Sequence, residues 1–151
     1  MKPRAVVGVF LAAGALTSPA TAATAPKSWT CPLASIVNST LGVHVGAPKT
    51  TTTPFSKTCT YPGPTSLSSI SITFQKDDAS QFATDEQATV KLLGAAVKNV
   101  KVRGDAAWTT GTGDLYIFDG KEQIKIHALS VGVTSPKTAT AKVEALADKL
   151  L

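Results

Sequence analysis

The sequence predicts an α+β domain: a single twisted antiparallel β-sheet with two or three helices packed on one face, and one disulfide. Three observations lead there. Residues 97–131 read as three consecutive strands forming the middle of one sheet, and residues 68–74 alternate strictly between polar and apolar. Apolar stripes at helical spacing occur before, between and after these strands, without the regular strand-helix alternation of a parallel sheet. The expected order is helix, two strands, helix, three strands, helix, with no internal repeat.

Residues 1–22 carry Lys2 and Arg4, an apolar run from Ala5 to Leu16 and the small-x-small site Ala20-Thr21-Ala22, the pattern of a secretory signal peptide. The run falls short of the ~20 residues a membrane helix needs, so a soluble mature protein without a transmembrane segment is expected. Residues 23–30 form a flexible leader from which Trp29 can fold back, and 31–151 a single globular α+β domain. Cys31-Pro32 opens a helix carrying Leu33, Ile36, Val37 and Leu41, and Gly42 stops it. Residues 43–57, with Pro48, Pro54 and the run Thr50–Thr53, read as an extended surface connection with at most a short strand at Val43-His44-Val45. The Thr run is a solvated loop before it is an O-glycosylation patch.

Thr58–Tyr61 reads as a strand, broken by Pro62-Gly63-Pro64. In the next strand Ile70, Ile72 and Phe74 share one face, with Ser69, Ser71 and Thr73 on the other. Asp78 is the N-cap of a helix over residues 79 to about 96, with Gln81 three residues on and a stripe of Phe82, Val90, Leu93 and Val97. Val100 and Val102 alternate with Lys101 and Arg103 in a strand, Gly104-Asp105 turns, and Ala106–Thr109 follows as the next strand. In the hairpin Leu115–Ile126, centring the turn on Gly120-Lys121 sets Ile117 opposite Ile124 and Leu115 opposite Ile126; centring it on Asp119-Gly120 sets Glu122 opposite Ile117. The Gly-first turn, or a four-residue loop in its register, is therefore expected. Ser135-Pro136 opens a terminal helix striped by Ala139, Val143, Leu146 and Leu150.

The whole chain carries a formal charge of +5, and without the signal 13 Lys and Arg face 10 Asp and Glu, a net +3. That is too mild, and too dispersed, for a nucleic-acid partner. Lys98, Lys101, Arg103 and Lys125 sit at strand positions where a solvated face explains them before an anionic polymer or lipid does. Cys31 and Cys59 are the only cysteines, and export makes one disulfide their simplest state.

Chemistry is sparse. His44 and His127 are the only histidines, and each fits a surface or satisfied position better than a general base. Asp77-Asp78 and Asp85-Glu86 serve helix entry and a polar helix face. No set of residues has metal-ligand spacing, and Gly111-Thr112-Gly113 has no helix after it to bind phosphate, so no metal and no cofactor are expected. Strand parity puts Tyr116, Phe118, Lys125 and His127 opposite the aliphatic face. Beside the Gly104-Asp105 turn they form the candidate contact surface, with Asp105 included, unless a helix or the Pro/Thr loop covers the rings.

The run Cys31-Pro32-Leu33, Leu41-Gly42, Cys59-Thr60-Tyr61, Val102-Arg103-Gly104-Asp105-Ala106-Ala107-Trp108, a Leu-Tyr-Ile hairpin and a closing Ala/Leu helix resembles the small secreted proteins and lipoproteins of unknown function of actinobacterial cell envelopes. The resemblance covers residues 29–151 and implies the fold and a secreted or envelope location; no Cys stands at the cleavage site, so a lipid anchor is not implied. The expected function is a secreted non-enzymatic binding module of the cell envelope, its partner an envelope protein, glycan or glycolipid. The alternatives are an inhibitor of an extracellular enzyme and a hydrolase in which His44 or His127 meets a carboxylate and a hydroxyl.

Overall fold

The computed structural model describes residues 29–65, 68–129 and 136–151. The signal segment 1–22, leader residues 23–28 and the Ser135 cap lie outside the described residues. Helix α1 (Ala34–Leu41) is followed by strands β1 (Lys49–Thr52), β2 (Ser56–Pro62) and β3 (Ser69–Lys76), and by helix α2 (Ala79–Leu93) with a 3-10 turn at Gly94–Ala96. Strands β4 (Lys98–Asn99), β5 (Ala106–Thr109), β6 (Asp114–Asp119) and β7 (Glu122–Leu129) and helix α3 (Pro136–Leu150) complete it. The seven strands form one antiparallel sheet in the order β1-β2-β3-β7-β6-β5-β4.

The β6-β7 hairpin takes the register that buries the most aliphatic surface. Ile117 faces Ile124, Leu115 faces Ile126, and the two-residue turn begins at Gly120 with φ +63°. Ile70, Ile72 and Phe74 of β3 join this face and are buried. Helices α1 and α3 cover it through Val37 and Leu41, and through Val143, Leu146 and Ala147. Helix α2 packs on the opposite face instead, capped at Asp78, whose carboxylate accepts from Ser80 N and Gln81 N at 2.9 and 3.0 Å.

Three expectations about extent are corrected. The stretch expected in the middle of the sheet supplies the central β7 and its neighbour β6, but β5 and β4 run out to an edge. Val100 and Val102 lie beyond the two-residue β4 and lean on the core; Val100 still donates its N–H to Ala107 O at 3.1 Å, and the ladder ends there. Here the chain leaves the ladder to pass close to β6. Gly104 has φ +112°, and a Cβ on it would stand 3.0 Å from both Ile117 Cγ2 and the Phe118 carbonyl oxygen. Asp105 then donates its N–H to Phe118 O (2.9 Å) and accepts the Gly120 N–H on Oδ2 (2.8 Å), so the Gly-Asp pair fastens the β6-β7 turn.

The second correction is β1, an edge strand inside the expected surface connection. Its exposed Thr residues carry no apolar alternation to reveal it, yet β-branching suits them to pairing, and Thr53 closes a tight turn by accepting the Ser56 N–H on Oγ1 at 2.9 Å. Val43-His44-Val45 is irregular, because Asn38 of α1 occupies the Val45 backbone through both its amide atoms, at 2.7 and 3.2 Å. The third correction is α1, which begins at Ala34 after Pro32 gives its carbonyl to the Tyr61 hydroxyl at 2.7 Å. Only Val37 and Leu41 of its expected stripe are buried, while Leu33 stays 69 % exposed.

Cys31 and Cys59 form the expected disulfide, with Cα atoms 5.7 Å apart. Trp29, two residues ahead of the disulfide, folds back and is buried in the aliphatic core. Burial pushes the Tyr61 hydroxyl up to about 12, so this side chain stays protonated and keeps donating to Pro32 over the ordinary pH range.

Candidate functional site

The sheet face opposite α1 and α3 is organised by register into straight rows. One row runs Asn99, Trp108, Tyr116, Lys125, Thr73, Thr58, Thr51 from the β4 edge to the β1 edge. The next runs Asp114, His127, Ser71, Thr60, Lys49. A third runs Ala106, Phe118, Gln123, Gln75, Ser56. On β3 and β7 parity puts polar residues on this side, alternating with buried Ile70, Ile72, Phe74, Ile124 and Ile126, whereas β5 and β6 add the Trp108, Tyr116 and Phe118 rings to it.

Helix α2 covers one corner of the face through a single buried residue. Phe82 lies 6.2 Å from the Trp108 ring and 5.6 Å from Phe118, and Trp108 stacks on Tyr116 with centroids 3.8 Å apart. Phe118 is thus buried beneath the helix, and Trp108 with it. Tyr116 is half-buried, and its hydroxyl is held above its ordinary range first by burial and then by the carboxylates of Asp114 and Asp85. Gln123 is completely buried in this corner, and among the described residues neither its amide atoms nor Trp108 Nε1 has a hydrogen-bond partner.

Beyond that corner the face is open. His127 is half-exposed, and its Nδ1 meets Asp114 Oδ1; Asp114 is steadied in turn by the hydroxyls of Thr110 and Thr112, which donate to Oδ2 at 3.2 and 3.3 Å. Ser71 is the cross-strand neighbour of His127 on β3, and Thr73 hydrogen-bonds Thr58 at 3.0 Å between hydroxyls. A carboxylate-held imidazole next to a serine has three residue types of a hydrolytic triad. Acyl transfer would also need a serine bonded to the imidazole and donors for an oxyanion. The His127 imidazole is hydrogen-bonded to Asp114 through Nδ1. The open rows present hydroxyls, the His127 ring and the Lys125 ammonium.

The residues expected at a contact surface therefore separate. Tyr116, Lys125 and His127 come together on the open rows, Phe118 has the right parity but lies under Phe82, and Asp105 sits at the hairpin turn in a structural role. Sequence reasoning misses Asp114, at the end of the Gly111-Thr112-Gly113 turn, and the grouping of the Ser71, Thr73, Thr58 and Thr60 hydroxyls: parity places Ser71 and Thr73 opposite the apolar face, but the pairing of β2 with β3 is not local. It misses also a cleft of about 830 Å³ between the 3-10 turn, the β4 edge and α3, lined by small side chains with Lys98 and Glu144 as its charged groups. His44 is exposed on the irregular segment after α1. Among the described residues no group of three His, Cys, Asp or Glu side chains is placed to hold a metal ion. The chain matches no protein-family model, no curated protein and no solved structure.

Proposed function

We propose that this protein is a secreted, non-enzymatic binding module of the cell envelope, engaging an envelope protein, glycan or glycolipid through the open rows of its outer sheet face. One observation carries the reading: Tyr116, Lys125 and His127 stand in adjacent register positions among hydroxyls, on a face that α2 leaves largely uncovered. Tyrosine is among the residues enriched at interfaces and hot spots, and the hydroxyls and ammonium beside it offer a partner hydrogen bonds and charge. Export rests on the basic start, short apolar run and Ala20-Thr21-Ala22 of the sequence, and mass spectrometry of secreted material is expected to find the chain beginning at Ala23. An intact Met1 in a membrane fraction would overturn that half of the proposal.

The binding half is tested by capture of envelope proteins and glycolipids on the exported protein. Tyr116→Ala and Lys125→Ala should each weaken capture roughly tenfold or more while circular dichroism is unchanged. Phe118→Ala is excluded as a probe, since its ring belongs to the corner buried by Phe82 and its loss destabilises the sheet. Normal capture by both informative variants would move the contact surface elsewhere.

A further inference from the structure

The stripe expected to hold α2 down is Phe82, Val90, Leu93 and Val97, yet the helix is anchored by Phe82 and its far end is bare. Leu92 is 84 % exposed, Leu93 50 % and Val90 42 %. Gly94 then turns the chain into the 3-10 segment, where Ala95 and Ala96 are also exposed. Such a cluster at a helix tip is an apolar patch that none of the described residues covers. Its charge setting is one-sided: from Gln87 to Gly104 the chain carries Lys91, Lys98, Lys101 and Arg103, all exposed, and no Asp or Glu. The acidic groups bordering this stretch are Asp85 and Glu86 farther back on α2, exposed Asp105 just after Gly104, Glu144 on the wall of the cleft that Lys98 also lines, and Asp148, which accepts the Arg103 N–H.

We propose that the α2 tip and the adjoining β4 edge dock on an anionic bilayer surface, with Val90, Leu92 and Leu93 entering the headgroup boundary and Lys91, Lys98, Lys101 and Arg103 meeting lipid phosphates. Interfacial attachment strengthens with both buried apolar area and attraction to anionic headgroups, and the stretch from Val90 to Arg103 carries exposed residues of both kinds. A second copy is the poorer occupant, because a two-fold pairing of the patch sets these cations against each other. The attachment is interfacial: among the described residues no helix is long and apolar enough to cross a membrane. The proposal stands apart from the outer-face binding reading, which uses different residues.

The test is flotation of the exported protein with vesicles of phosphatidylglycerol and phosphatidylcholine, against phosphatidylcholine alone, at low and high salt. Binding is expected to the anionic vesicles only, falling as salt rises. The double variant Leu92→Asp/Leu93→Asp should lose it at least ~100-fold with an unchanged melting temperature, since both side chains are exposed. Lys91→Gln, Lys98→Gln and Lys101→Gln should each weaken it about fivefold at low salt. Equal affinity for both vesicles, no flotation at all, or flotation of the Leu92→Asp/Leu93→Asp variant at the wild-type level would overturn the proposal. So would a dimer in sedimentation, or capture of a protein partner, that the same variant abolishes.

Discussion

Replacing Cys31 and Cys59 together by Ser should cost the domain about 3–4 kcal/mol in the chain-entropy picture of a disulfide. The two residues lie 28 apart in sequence, so the bond removes a long closed loop from the freedom of the unfolded chain. It does so at a structural joint. Cys59 is fully buried in β2, next to the Tyr61 that holds the Pro32 carbonyl, and Cys31 is where the first packed segment turns into α1. The melting temperature should fall by about 10–20 °C. In urea the midpoint should drop while the slope rises, because an uncrosslinked denatured state exposes more surface. Capture by the outer face should persist below the new transition, since the bond lies on the other side of the sheet. An unchanged midpoint, or two free thiols in the native exported protein, would refute the role assigned to it.

What could be read from the sequence was whatever local chemistry decides. The β6-β7 register was legible because one choice pairs Ile117 with Ile124 and the alternative pairs it with Glu122. The α2 cap was legible because Asp78 and Gln81 stand at the spacing a cap needs. Partner choice was not: period two puts Ile72 on a face but cannot say that β3 lies beside β7, across more than fifty residues of chain. Neither can a helical stripe say which side of a sheet it will choose. Helix α2 goes to the outer face because Trp108 and Phe118 make an apolar corner there large enough for Phe82 and too small for Val90 and Leu93, which is why half of its stripe is bare. The site divides on the same line. Parity identified Tyr116, Lys125 and His127, and it also admitted Phe118, whose burial depends on a helix packed from elsewhere. Asp114 needed three-dimensional register to emerge as the partner of His127. Asp105 needed it to emerge as a clasp on the Gly120 turn.

Trp29→Ala should be as damaging as loss of the disulfide, at about 3–5 kcal/mol, although the residue lies in what reads as a leader. Its ring is 2 % exposed within the aliphatic core, and its two polar groups are engaged with charges on that same face. The indole N–H donates to Glu122 Oε2, and the Trp29 carbonyl accepts from Lys57 Nζ at 2.7 Å. Lys57 and Glu122 share strand parity with the buried Cys59 and Ile124, so they point inward at one end of the sheet. Removing the indole opens a cavity and takes a partner from Glu122, whose charge is costly to leave unpaired near the core. Trp29→Phe retains most of the ring and loses the donor, so it should fall between wild type and Trp29→Ala. The ring and the disulfide also fix the same few residues ahead of α1. Without the bond, this segment is freer and the tryptophan has more ordering to oppose, so the two losses should not add. A double-mutant cycle between Trp29→Ala and the Cys31→Ser/Cys59→Ser background should give a coupling of about 0.5–3 kcal/mol by chemical denaturation. Strict additivity would mean that the two tethers act independently, and a Trp29→Ala variant within about 0.5 kcal/mol of wild type would mean that this buried ring is ornamental to the domain.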